Sequence, residues 1–218
     1  LSTLTFLDPA CGSGNFLTET YLSLRRLENE ILQELQGGQM VLGYDNMNPI
    51  QVSISQFYGI EINDFAVTVA KTALWIAESQ MMKETESIVL MHLDFLPLKT
   101  NAFIHEGNAL QVDWESVIPK YQLSYIMGNP PFVARAGRTK AKDSSSKGML
   151  DDTQKTDRLN VFGEDLGNVD YVACWFKKAA VFTKNTAIRC AFVATDSICQ
   201  GQQIYLSLIH ISEPTRRS

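Results

Sequence analysis

Asp8-Pro9-Ala10-Cys11-Gly12-Ser13-Gly14-Asn15-Phe16 stands between a short apolar run, Thr3-Leu4-Thr5-Phe6-Leu7, and a segment in which apolar residues recur at Leu17, Tyr21, Leu24, Ile31 and Leu35. The first run has strand character and the second helical periodicity, so the order is strand, glycine turn, helix. Gly12 and Gly14 allow the backbone to approach a ligand closely, with the helix N-terminal dipole directed toward it. A Gly-x-Gly pair alone fits a structural turn as well as a nucleotide site. The third glycine of a dinucleotide fingerprint is absent, because Phe16 and Leu17 take its place.

The alternation continues outward from this turn. Gly37-Gly38 ends the first helix, and a polar stretch with Asn46, Asn48 and Pro49 reads as a connection. Gln56-Phe57-Tyr58-Gly59-Ile60 is a second strand with Glu61 at its carboxyl end. Asn63 or Asp64 can cap the next helix, with Phe65, Val69, Ala73 and Ile76 on one face. Further strands are expected over 102–105, 123–127 and 188–194, with little regular helix between the third and fourth, and a helix over 171–182. Strands alternating with helices imply an α/β fold built on a doubly wound parallel sheet. The segment 134–157 differs: it carries Arg135, Arg138, Lys140, Lys142, Lys147 and Lys155 among serines, glycines and aspartates. It reads as a solvated polar loop, one that can also touch DNA phosphate.

Glu61 turns the glycine motif toward a ligand. An acidic residue ending the second strand lies beside the first strand's turn, where a carboxylate can accept both hydroxyls of a ribose. An exposed charge at a strand end is the plainer alternative, but together the two features favour an adenosine-type cofactor. Gly128-Asn129-Pro130-Pro131-Phe132 then narrows the chemistry. Consecutive prolines stop the fourth strand, fix the backbone and remove two amide donors, so carbonyls there project without their own pairing. Asn129 and Phe132 add an amide and an aromatic face. The plainer reading is a Pro-Pro turn with a packed ring.

Composition bounds the rest. The 218 residues, 45% hydrophobic and 20% charged, suit one soluble domain with a real core. No apolar run approaches the roughly 20 residues that cross a bilayer, and the first residues lack a signal-peptide layout, so a cytoplasmic protein is expected. Cys11, Cys174, Cys190 and Cys199 form no Cys-x-x-Cys pair and the three histidines complete no zinc spacing, which predicts free thiols and no metal. A formal charge of -5 means that any grip on nucleic acid is local or comes from another domain.

Asp8 to Phe16, Gly59 to Asp64, Gly107 to Leu110 and Gly128 to Phe132 together resemble the ordered motifs of amino-methylating DNA methyltransferases of the gamma arrangement. Asn168-Val169-Asp170-Tyr171-Val172-Ala173, Lys177-Lys178-Ala179 and Thr195-Asp196-Ser197-Ile198 extend the similarity to bifunctional type IIG and IIL restriction-modification proteins, over Leu4 to Tyr205. The resemblance implies a Rossmann-like class I S-adenosylmethionine-dependent methyltransferase core over residues 1–205, truncated at both ends. It implies cofactor contacts at Asp8, Pro9, Ala10, Gly12, Gly14, Asn15, Phe16, Glu61, Ile62, Asn108 and Ala109, and catalysis at Asn129, Pro130, Pro131 and Phe132. Asp8 would orient the turn and the cofactor's amino-acid portion, Glu61 its ribose and Asn108 its adenine edge. Many relatives have Asp where this chain has Asn108.

In a sheet of order 3-2-1-4-5 the carboxyl ends of strands one and four flank the crevice where the order reverses, which brings together motifs about 120 residues apart in sequence. The implied reaction is methyl transfer to adenine N6 of a base flipped from double-stranded DNA, with Asn129 and the Pro130 carbonyl accepting the amino hydrogens and Phe132 stacking on the base. Related chemistry on RNA guanine or protein glutamine, a noncatalytic binding module and an inactive fragment are the rival expectations. The resemblance further implies a target-recognition domain, and in some fusions a nuclease domain, elsewhere in the full-length protein. Leu206 to Ser218 resembles a translated sequencing adapter, so a non-native tail is expected there. With no final antiparallel pair over the fifth strand, the isolated chain is expected to be inactive and poorly soluble.

Overall fold

The computed structural model describes residues 1–36, 49–90, 101–132, 150–163, 170–194 and 198. Five short strands, β1 (Phe6–Asp8), β2 (Phe57–Glu61), β3 (Phe103–Glu106), β4 (Tyr125–Gly128) and β5 (Arg189–Phe192), pair in parallel in the order β3-β2-β1-β4-β5. This is the doubly wound order the sequence predicts. Asp8 is opposite Gly59, and Leu7 is opposite Ile126. Both motif-bearing strands therefore end on one edge at the centre of the sheet.

Side chains alternate across the pleat, so β1 feeds two cores. Phe6 lies on one face with Phe57 and Ile104, beneath Leu17 and Tyr21 of α1 (Asn15–Gln36) and Val67, Ala70 and Leu74 of α2 (Asp64–Val89). There Phe57, Phe6 and Tyr125 stack side by side across three strands, with ring centroids 5.1 and 5.3 Å apart. Leu7 lies on the other face with Ile60 and Ile126. It is covered by Trp114 of the one-turn helix α3 (Trp114–Val117), and by Cys174, Trp175 and Phe182 of a helix we label α5 (Ala173–Thr183).

Three expectations need correction. In α2, Phe65 and Ile76 are exposed, and the buried stripe is Val67, Ala70, Leu74, Ala77 and Met81. The helix is apolar over more than one face, and close approach selects the small residues: a Cβ added to Gly14 would lie 3.0 Å from that of Ala70. In α1, Ile31 and Leu35 are exposed, while Arg25, Glu28, Asn29 and Leu32 are buried. Polar pairing explains the reversal. Arg25 bridges Glu28 and donates to the Thr85 hydroxyl at 2.7 Å, and Thr85 donates to Asn29 at 2.7 Å. Glu28 accepts the backbone N–H groups of Gln51 and Val52 at 2.7 and 3.1 Å, tying α1 to the segment entering β2.

The polar segment 134–157 is the third. Its last residues belong to a helix, α4 (Asp152–Phe162), which begins with an Asp151–Gln154 capping box and buries Asp157. Polar bonds hold this helix in place, so apolar periodicity does not reveal it. Residues 134–149 of that segment, Gly37-Gly38, Asn46, Asn48, Asn168-Val169, Cys199, the 195–197 part of the last motif and the tail after 205 lie outside the described residues.

Candidate active site

The turn after β1 is built by hydrogen bonds that its sequence supplies. Asp8, 1% exposed, accepts the Ala10 N–H at 2.9 Å, and the Cys11 N–H donates to the Ile60 carbonyl at 3.2 Å. Gly12 has φ of 54° and Gly14 of 82°, a backbone region that L side chains rarely adopt. A Cβ built on Gly12 meets no atom within 4 Å, so the turn presents open backbone rather than packed core. From α5, Trp175 Nε1 donates to the Pro9 carbonyl at 3.1 Å and supports the turn from below.

Glu61 closes the second side. Its carboxylate accepts the Gly12 N–H at 2.9 Å and the Asn63 N–H at 3.0 Å, and each oxygen retains acceptor capacity for a ligand hydroxyl. Asn63 caps α2 by accepting the Ala66 N–H at 3.0 Å, and Ile62 is exposed beside it. Burial pushes the Asp8 carboxyl up to about 7; the Ala10 N–H opposes this and the Glu61 charge adds to it. A buried carboxylate held so high is poised to gain from a cationic group.

From β4 comes the second motif. A Cβ added at Gly128 would sit 2.3 Å from Asp8 Oδ1, so only glycine lets the two strand ends close on each other. Asn129 is exposed, and its side chain makes no hydrogen bond among the described residues. Pro130 is buried, Pro131 is exposed, and Phe132 presents 42% of its surface. Asn15 and Phe16 are exposed at the start of α1, Phe16 by 39%. A largely apolar groove of about 580 Å³ runs from these two residues along α1 to Tyr125, but neither Asp8 nor Glu61 lines it.

The loop after β3 forms the third wall. The Gly107 N–H donates to the Glu61 carbonyl at 2.8 Å, placing Asn108 next to the second strand's end. The Asn108 amide is engaged at both ends: Oδ1 accepts the Leu110 N–H at 2.9 Å and Nδ2 donates to Asp157 at 2.8 Å. Ala109 is buried, and its carbonyl accepts from Trp114 Nε1 at 2.9 Å. Lys178 of α5 donates to the carbonyls of Ala109, Leu110 and Val112 at 2.8, 3.0 and 2.6 Å, and burial pushes its ammonium down to about 8.

Trp175, Lys178, Asp157 and the steric role of Gly128 escape a reading of the sequence for motifs. Only the run Lys177-Lys178-Ala179 carries a signal, through resemblance. Cys11 and Cys174 are buried free thiols, and Cys190 is exposed. Among the described residues no helix is long and apolar enough to cross a membrane.

The family sequence model described as "MmeI, DNA-methyltransferase domain" matches residues 1–215. The chain belongs to this family. As an MmeI-type DNA-methyltransferase domain, it is 40% identical over 206 residues to DNA methyltransferase A of Bacillus subtilis (strain 168), a match spanning 92% of this chain and 22% of that protein. A solved structure of the type IIL restriction-modification enzyme MmeI in complex with DNA is 41% identical, with a TM-score of 0.80 over 94% of this chain and 26% of that one. The ATP-dependent type ISP enzyme LlaBIII, solved bound to DNA, shares the fold at 13% identity and a TM-score of 0.50, over 92% of this chain and 13% of that one. The MmeI-type domain thus spans about a quarter or less of the length of these relatives.

Proposed function

We propose that this DNA-methyltransferase domain moves a methyl group from S-adenosylmethionine to N6 of an adenine flipped out of double-stranded DNA, within a cytoplasmic restriction-modification protein. One observation carries the reading: Asp8 of the cofactor motif and Gly128 of the Asn-Pro-Pro-Phe motif touch, so the two motifs border one crevice. The MmeI structure at 41% identity is of a restriction-modification enzyme in complex with DNA, which favours DNA as the substrate; duplex DNA and target-recognition and nuclease domains are the partners that the motif resemblance implies.

The residues present fit the cofactor. Open backbone at Gly12, the residual acceptor capacity of Glu61 and the Asn108 amide match backbone approach, ribose hydroxyls and an adenine edge. Asp8, buried beneath the turn, holds Ala10 and supplies negative charge under the cofactor's amino-acid end. When bound, the cofactor contributes an activated methyl on a sulfonium.

The remaining work falls to the Asn-Pro-Pro-Phe motif at the end of β4. The lone pair of adenine N6 is delocalised into the ring. Asn129 Oδ1 and the Pro130 carbonyl, accepting its two hydrogens, favour a pyramidal nitrogen and stabilise positive charge as it develops. No strong base is required. Phe132, with two-fifths of its surface open, receives the face of the extruded base and offsets part of the lost stacking.

Asn129→Ala in the full-length protein is expected to abolish methyl incorporation into duplex DNA while cofactor affinity stays within about threefold of wild type, since a group acting only in the transition state leaves binding intact. Retained turnover refutes the role of Asn129. Faster incorporation into RNA or protein than into duplex DNA refutes the substrate.

A further inference from the structure

Asp157 is 1% exposed, although it sits in a helix whose other side chains are mostly exposed or half-buried. Its carboxylate collects three donors from two separate stretches of chain. Asn108 Nδ2 reaches Oδ2 at 2.8 Å, Gln111 Nε2 reaches Oδ1 at 2.8 Å, and the Tyr171 hydroxyl reaches Oδ2 at 2.9 Å. Burial, with Asp157 alongside, holds the Tyr171 hydroxyl protonated and therefore able to donate. Lys178 grips the same loop from its carbonyl side.

We propose that Asp157 is a positioning residue that requires an amide at position 108 and fixes which way that amide faces the cofactor's adenine. An amide has one donor end and one acceptor end. The Leu110 N–H can only face Oδ1, and the accepting Oδ2 of Asp157 can only face Nδ2, so the orientation is set twice. Among the described residues each end keeps one unused partner, a hydrogen on Nδ2 and a lone pair on Oδ1. Together these complement the exocyclic amine and the adjacent ring nitrogen of adenine. An Asp at position 108 would instead place two carboxylates face to face at the distance now spanned by a hydrogen bond, which disfavours ionisation of both. The inference rests on the proposal that Asn108 meets the cofactor's adenine, and it accounts for Asn where many of the family's members carry Asp.

The swapped pair offers a test, because it keeps a donor facing an acceptor between positions 108 and 157. In Asn108→Asp with Asp157→Asn, Nδ2 of the new amide donates to the carboxylate at 108 and to the Tyr171 oxygen, while its Oδ1 accepts from Gln111. Binding of S-adenosylhomocysteine is measured by calorimetry on the full-length wild type, both single variants and the double, with the melting temperature of each ligand-free protein. Asn108→Asp alone is expected to weaken binding by about thirtyfold or more, through an unmatched buried charge. The double variant is expected to return to within about fivefold of wild type, the remainder reflecting one lost neutral donor. The sign is decisive: Asp157→Asn harms the wild type and rescues Asn108→Asp, which a merely structural Asp157 would not do.

A double variant that binds or melts no better than Asn108→Asp, or fails to fold, overturns the proposal. So does an Asn108→Asp protein that binds like wild type. If the wild type itself does not bind the probe, the cofactor reading fails separately, and the inversion of sign in the melting temperatures still decides the Asp157 pairing.

Discussion

Gly128→Ala is the sharpest perturbation of the seam between the two motifs. The added Cβ would lie 2.3 Å from Asp8 Oδ1, 2.9 Å from its Cγ and 3.3 Å from Oδ2, so the carboxylate must retreat by roughly 1 Å to reach ordinary contact. It has little room to do so, being 1% exposed and bound to the Ala10 N–H. Overpacking costs about 1–3 kcal/mol, and a strained hydrogen bond to a charged group adds a similar amount if it breaks. At about 2 kcal/mol the melting temperature should fall by roughly 4–8 °C. If the shifted turn costs the cofactor the same energy, affinity should fall by about thirtyfold. The assay is a cycle: Gly128→Ala, Asp8→Ala and the double variant in the full-length protein, by calorimetric titration with S-adenosylhomocysteine and by thermal unfolding. Removing the carboxylate removes the clash, so the double variant should cost less than the sum of the singles. Additive losses, or a Gly128→Ala protein indistinguishable from wild type, would refute the steric coupling.

Other outcomes rest on the same geometry. Because burial raises Asp8 from 3.8 to about 7, its share of ligand-free stability is fully present below the unfolded value and is lost as pH rises through about 7. Wild type should therefore lose stability relative to Asp8→Asn between about pH 4 and 7, as read by melting temperature, and parallel profiles would contradict this. Glu28→Ala strands the fully buried Arg25 and frees the Gln51 and Val52 N–H groups, and should cost about 3–5 kcal/mol by denaturant unfolding. Glu61→Ala should weaken cofactor binding by at least about tenfold while leaving DNA affinity unchanged, measured by titration and gel shift. Equal losses in both assays would count against a ribose role.

The strand order and the meeting of the motifs are legible because they arise from short-range signals: a glycine turn after a strand, and prolines that can only end one. The carboxyl ends of the strands emerge within one or two residues, as with β2 at Phe57–Glu61, while β1 begins three residues later than its apolar run. Helix faces are less legible. The periodicity of α1 points to Ile31 and Leu35, yet the helix turns Arg25, Glu28 and Asn29 inward, because partners 23 to 60 residues away satisfy them. No local pattern announces such partners. For the same reason α4 is hidden in a polar run. Asp157 looks like one more solvated charge until Asn108, Gln111 and Tyr171 are folded against it. Within the site, Glu61 and the glycines are visible by type and place, whereas Lys178 and Trp175 act on backbone carbonyls that sequence does not display.

The position of β1, paired on both sides, also orders the assembly of the crevice in time. Its partner β2 ends at Glu61, so the glycine turn and Glu61 can meet over the shorter of the two loops. The other half waits for β4, whose entry is pinned to β1 where the Thr5 N–H donates to Ser124 across 119 residues. Closing that longer loop carries the greater entropic cost before any contact rewards it. The cradle proposed for the cofactor is thus completed last, because Asp157 and Trp175, which brace the Asn108 loop and the glycine turn, follow the Asn129–Phe132 segment in the chain.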